Sequence, residues 1–373
     1  MKKIVNYIFL FFIAVAITGI YTSCSKESEG TPTVSYVRVT NPEKSDSLLV
    51  GAYQSNTIAV IGENLQYAKE VWIDDLQASL TPTYVTSTTI IFTMPSSAPK
   101  KVDNLLKIVF ANGDTLKYPF KIIISAPSIS SMLCEYVPEG GTATIYGHFF
   151  YEPLTVTFSG GVNGEVQSVS TDGTTIKVKV PAGAQPGFLT VATNFGSSQS
   201  NFFFRDNRNI ILSSDPFPSN AWSGSKWVVS NPGTGDPIKI SGNYIRVTGT
   251  ISGWWTEIFN GIYTTAIPDE AILKPSLYYL KFELNTVKPY NAQKIKFCMG
   301  AKDGDHGDYV FSPPYDTKGE WQTVTIPFEE VAASYSNFGL SSSGYFTRAV
   351  FNGGDTYDCD MCFDNFRIVP KSK

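Results

Sequence analysis

The sequence predicts an all-β protein, with two small β-sandwiches in tandem followed by a larger, jelly-roll-like β-sandwich. Three observations carry this prediction. Charged residues make up only 17% of the chain while glycines and aromatics are plentiful, a balance that favours strands and turns over helices. A pattern of short alternating strands occurs twice in the first half, and five of the six tryptophans lie beyond Asp206, where that pattern stops. With 373 residues, 42% of them hydrophobic, the chain has material for several cores.

The N-terminus reads as an address. Lys2 and Lys3 precede an apolar run from about Tyr7 to Ile20, which ends at Tyr21-Thr22-Ser23-Cys24. The run is short and early for a membrane span. The pattern resembles a bacterial lipoprotein signal over residues 1–23, with Cys24 as the lipidated residue, although Tyr21 stands where leucine is usual. An ordinary secretory signal is the alternative. Residues 24–33 are expected to form a flexible tether. Their acidic start, Ser25-Lys26-Glu27-Ser28-Glu29, resembles the surface-export signal of Bacteroidetes lipoproteins.

The repeat follows. Ile58 to Leu65, with Gly62, matches Ala143 to Phe150, with Gly147, and Ser87 to Pro95 matches Asp172 to Pro181. The glycines lie 85 residues apart and the prolines 86, so the register holds through each unit. Tyr118 to Ile122 and Asn201 to Phe204 read as the closing strands. This order of strands and turns resembles the IPT/TIG immunoglobulin-like domain, which places domain 1 at 34–124 and domain 2 at 125–205. Gly62 and Gly147 are expected at turns that need an unusual backbone angle. Trp72 is expected in a core or an interdomain contact, and His148 on a surface turn. Pro127 stiffens the junction after domain 1, whereas Arg205 to Asn209 lacks proline and predicts a freer one.

The third domain, 206–373, shows alternation in Tyr244–Thr248, Tyr278–Leu284, Lys294–Met299, Trp321–Phe328 and Cys362–Val369. Trp321 is expected to pack inside. Cys359 and Cys362 form a lone CxxC that lacks the second ligand pair of a zinc site; in a strand the two thiols point to opposite faces. Asp303 to Asp308 has the acidic density of a calcium loop without its spacing, so a hairpin turn is expected and no metal is assigned.

Gly253-Trp254-Trp255-Thr256-Glu257 is the main candidate for binding. Strand parity groups Trp255 with Glu257 and makes Trp255 the exposed ring, while Gly253 can mark a loop edge where parity fails. The three-domain layout is similar to the surface glycan-binding lipoproteins (SGBP-B type) of Bacteroidetes polysaccharide utilisation loci. That resemblance implies an aromatic platform made by one Trp and an aromatic pair about thirty residues on. Trp222, 33 residues before Trp255, takes the first position, with Trp227 as its possible substitute, and Trp254 and Trp255 take the pair. Glu257 and Asn260 are the polar candidates.

What the resemblance implies is non-catalytic capture of a polysaccharide, a plant β-glucan such as xyloglucan favoured, at the outer-membrane surface. The partners it implies are a SusC/SusD-like transporter and an endo-glycanase. An adhesin that binds protein, or a lipid-anchored glycanase, is the alternative. Nothing pairs Glu257 with a second catalytic carboxylate, the two histidines come without a nucleophile elbow, and phosphate-binding glycine loops are absent. A formal charge of −4 and no basic patch argue against nucleic acid.

Overall fold

The computed structural model describes residues 30–44, 46–290, 294–312 and 315–371. The signal segment 1–23, Cys24 and the first part of the tether lie outside them. Among the described residues no helix is long and apolar enough to cross a membrane. The architecture is β throughout, in two compact units, Met1–Ile124 and Ser125–Lys373.

In the first unit Thr33–Val39, Thr57–Glu63 and Thr89–Thr93 form one sheet. Leu76–Ala78, Ala68–Ile73, Leu105–Phe110 and Thr115–Pro119 form the facing sheet, and Gly51–Tyr53 pairs in parallel with Lys121–Ile123. Val37, Val60, Val71, Ile90, Leu106 and Phe120 fill the space between. Trp72 is not in that core. It alternates with buried Val71 and Ile73, is half-buried on the outer face, and donates Nε1–H to Glu70 Oε2 at 2.8 Å.

The second unit begins with a sandwich on the same plan. Ser128–Met132, Thr142–His148, Thr175–Lys179 and Glu165–Val169 make one sheet, and Val162–Asn163, Leu154–Phe158, Thr190–Thr193 and Gly196–Gln199 the other. The repeat glycines do not sit at turns. Each is the next-to-last residue of its strand, beside a bulge in the neighbouring first strand. A Cβ on Gly62 would fall 1.9 Å from the Thr33 carbonyl oxygen, and one on Gly147 1.9 Å from that of Ser128. Glycine is required by close backbone approach. The left-handed residues come two positions later, at Asn64 and Phe149. Asn201–Phe204 keeps the alternation, with Phe202 and Phe204 buried, but pairs only through a bridge at Phe204.

The C-terminal sandwich has two antiparallel sheets. The first runs Val228–Val229, Tyr244–Ile251, Tyr357–Pro370, Tyr278–Thr286, Gln322–Pro327, with Ile210–Leu212 also on Tyr357–Pro370. The second runs Thr256–Thr264, Tyr345–Phe351, Ile295–Lys302, Asp305–Phe311. Phe282, Phe297, Phe363 and Phe366 pack between them, Phe282 and Phe366 stacked at 4.9 Å. The CxxC behaves as strand geometry requires. Cys359 faces this core, Cys362 faces the opposite way, and all four described cysteines are free and buried.

That opposite face of the first sheet is covered by the preceding sandwich. Trp321 is buried there, edge-on to Tyr244 at 5.5 Å, in a cluster that also holds Tyr136, Val137, Phe158 and Phe204. Trp321 therefore packs outside its own sandwich, against the neighbouring one. Thr323 ties the two together, its N–H donating to the Leu133 carbonyl at 2.8 Å and its Oγ1 accepting from the Glu135 N–H at 2.7 Å. Four buried charges complete the contact. Lys281 meets Glu135 at 2.5 Å, and Arg367 meets Glu135 at 2.7 Å and Glu283 at 2.9 Å. Burial opposes the charge on Arg367, but Glu283 and Glu135 more than reverse this and raise its pKa. The junction expected to be freer is thus a packed, ion-paired interface.

Candidate functional site

The outer face of the second C-terminal sheet gathers the aromatic residues singled out in the sequence. The loop before Thr256–Thr264 carries Trp254 and Trp255, 76% and 42% exposed. Both rings are open, because the pair precedes the strand and strand parity does not apply to it. The loop is held in place across its width. The Gly253 carbonyl accepts from the Gly353 N–H at 2.9 Å, and the Trp254 carbonyl accepts from Asn352 Nδ2 at 2.7 Å. The 352–356 loop thus braces the tryptophan loop.

Trp222 arrives from the other side. The strand Thr256–Thr264 carries register shifts between Glu257 and Ile262, and this irregularity presents Asn260 to a passing segment. The Trp222 N–H donates to the Asn260 carbonyl at 2.9 Å, and the Asn260 N–H to the Ser223 carbonyl at 3.1 Å. Trp222 is 57% exposed and lies over Gly261, where a Cβ would come within 2.3 Å of its ring. Gly261, at φ +72°, is needed twice over. Trp227 is the less open alternative: its ring packs against the core and its Nε1–H donates to the Glu257 carbonyl at 2.8 Å.

Glu257 links the pieces. Its carboxylate accepts from Ser223 Oγ, from Asn260 Nδ2 at 2.6 Å and from Trp255 Nε1 at 3.3 Å. Partial burial would raise its pKa, but these donors and Arg348 outweigh it and hold the group below the usual glutamate value. Asn260 is buried, so it supports the surface from beneath, and among the described residues its Oδ1 lacks a partner.

Several residues here escaped the sequence reading. Phe346, fully buried, lies under the site, in ring contact with Trp222 at 5.8 Å, Tyr263 at 5.6 Å and His306 at 5.5 Å. Arg348 lies over the Trp255 ring at 5.0 Å and donates to Asp303 at 3.1 Å and to His306 Nε2 at 3.0 Å. Both come from Tyr345–Phe351, a strand buried along its whole length, so no alternation marks it in the sequence. Within the acidic stretch only Asp303-Gly304 forms the turn, and Asp305–Phe311 is a strand. Cys298, His306 and Asp308 bring three potential metal-ligand atoms within 4.8 Å of one another. A cation there would sit beside the Arg348 guanidinium, and burial pushes the Cys298 thiol up to about 12, against thiolate formation.

Residues 204–370 match the family described as the surface glycan-binding protein B xyloglucan binding domain. The match spans the C-terminal sandwich that carries the tryptophan face. One relative matches along the whole chain. The chain is 23% identical to this IPT/TIG domain-containing protein of Bacteroides ovatus, with all of both chains covered. Among solved structures it is similar to the surface glycan-binding protein PbSGBP-B of Prevotella bryantii, with TM-score 0.63 and 23% identity over 92% of this chain and 99% of that one. A second is an SGBP-B from a complex xyloglucan utilization locus in Bacteroides uniformis, with TM-score 0.52 and 18% identity over 91% and 100%. These likenesses bear on the fold.

Proposed function

We propose that the chain is a non-catalytic, cell-surface glycan-binding lipoprotein that captures a β-glucan, xyloglucan favoured, on its C-terminal domain. In this reading residues 34–124 and 125–205 are spacers, 206–373 is the binding domain, and Cys24 carries the outer-membrane anchor. The observation that carries the proposal is the set of three exposed tryptophans, Trp222, Trp254 and Trp255, on one face of a domain that matches this family. The flat C–H faces of equatorial β-linked sugars are desolvated by such rings, while their hydroxyls need polar groups at the ring edges. Glu257, held ionised, supplies an acceptor beside Trp255.

By analogy with base stacking, each ring contributes about 1–3 kcal/mol. Three rings give roughly 3–9 kcal/mol, which after ordering costs corresponds to micromolar to millimolar binding. Affinity of that order suits a protein that hands the chain on to a glycanase and a SusC/SusD-like transporter. A glycosidase acid needs a raised pKa, and Glu257 is shifted the other way. Titration calorimetry against xyloglucan, mixed-linkage glucan, mannan and host glycans tests the proposal. Micromolar to millimolar binding to a β-glucan is expected; no heat with any of them overturns it.

A further inference from the structure

The second unit also has a concave surface, away from the tryptophan face. A cleft of about 850 Å³ lies where the second immunoglobulin-like sandwich meets the back of the C-terminal domain. It is on the opposite sheet from Trp222, Trp254 and Trp255. One wall is the strand Thr142–His148 and its neighbours, offering the exposed Gln167 and Lys177 and the half-buried Tyr146. The other wall carries Ile238, 63% exposed although apolar, and Val287, also open. Asn285 lies at the back, 1% exposed. Its Nδ2 donates to the Gly319 carbonyl at 2.8 Å, but its Oδ1 has no partner among the described residues.

We propose that this cleft is a second glycan-binding site, taking a short stretch of a neutral polysaccharide chain. The chemistry selects that class. Buried acceptors are nearly always satisfied, and the one at Asn285 calls for a donor such as a sugar hydroxyl. The lining charges balance. Lys177 and Glu320 both line the cleft, and Asp236 is held by Arg246 at 2.5 Å, so no net field favours an anionic or cationic ligand. Apolar Ile238 and Val287, the Tyr146 ring and the amide of Gln167 provide the mixture of flat apolar contact and hydrogen-bonding groups that sugar rings require. The walls come from two sandwiches fixed by the buried ion pairs, so the cleft is pre-organised. Two sites on opposite faces would hold a long chain more tightly than either alone.

This proposal rests on the glycan-binding reading, and one experiment separates the two. Titration calorimetry with a xylogluco-oligosaccharide is performed on the mature chain, on Trp222→Ala/Trp255→Ala, and on both forms carrying Gln167→Ala/Ile238→Ser. Gln167 and Ile238 are exposed; Gln167 Oε1 accepts from the exposed Thr142 hydroxyl at 3.0 Å, and Ile238 is used structurally through its backbone carbonyl, by Trp321 Nε1. The expected result is two oligosaccharides per chain, with one weaker site surviving in the platform variant. That residual binding falls tenfold or more when the cleft changes are added, and hydrogen exchange at Thr142–Tyr146 slows with sugar only when the cleft is intact. Saturation at one oligosaccharide with none bound by the platform variant overturns the second site and leaves the first. Residual binding indifferent to the cleft changes overturns it too. No binding by the unaltered chain overturns both.

Discussion

The two faces of the C-terminal sandwich use the same residue types for opposite ends. On one, Trp222 and Trp255 are open to solvent, with Phe346 against Trp222, the half-buried Glu257 bonded to Trp255 Nε1 and the buried Arg348 against the Trp255 ring. On the other, Trp321 is buried against Tyr244, and Glu135, Lys281, Glu283 and Arg367 are shut away from water. A tryptophan and a charge mean binding in the first place and cohesion in the second. The difference lies in what covers them. The preceding sandwich covers the first sheet, whereas the tryptophans of the second stay 42–76% exposed.

The contrast breaks most easily on the covered side. Arg367→Met is expected to cost about 3–5 kcal/mol, because Glu135 and Glu283 are left buried without their main cation; chemical denaturation reads this. Trp321→Ala should cost a similar ~3–5 kcal/mol. Trp255→Ala, by contrast, should leave the denaturation midpoint nearly unchanged and weaken β-glucan binding by about 5- to 150-fold, the equivalent of 1–3 kcal/mol. If Trp255→Ala destabilises as much as Trp321→Ala, the two faces are alike and the comparison fails.

A pH series sharpens it. Asp364 lies opposite Glu283 on the covered side, and burial raises its carboxyl to about 7 from the ordinary aspartate value of 3.8. Between those values the folded chain holds a proton that the unfolded chain has released, so folding stability falls as pH rises from about 4 to about 7. Asp364→Asn should remove that decline, a difference of up to about 4 kcal/mol across the window, followed as thermal midpoint against pH. The smallest effect expected is Gly261→Ala, about 1–2 kcal/mol, from its positive φ and the displaced Trp222 ring. It should lower sugar affinity as well, which a purely structural role for Gly261 would not do.

Much of this was legible because strands alternate. The repeat, the sandwich class and five C-terminal strands followed from period-two patterns, and the odd spacing of Cys359 and Cys362 put their thiols on opposite faces as read. Tyr345–Phe351 was invisible for the same reason: covered on both sides, it has no alternation, and with it went Phe346 and Arg348. Gly62 and Gly147 were picked out correctly as special but for the wrong reason, since a bulge in another strand cannot be seen locally. At Trp254 and Trp255, parity was applied to residues that precede the strand.

The sequence by itself determined which segments are strands, how the two small units correspond, and that aromatic residues concentrate in the third domain. Those properties are local, set by spacing and turn chemistry. Only the tertiary structure decided which tryptophan is covered. Burial depends on what packs against a face, and for Trp321 that is a sandwich whose core residues lie well over a hundred positions earlier in the chain.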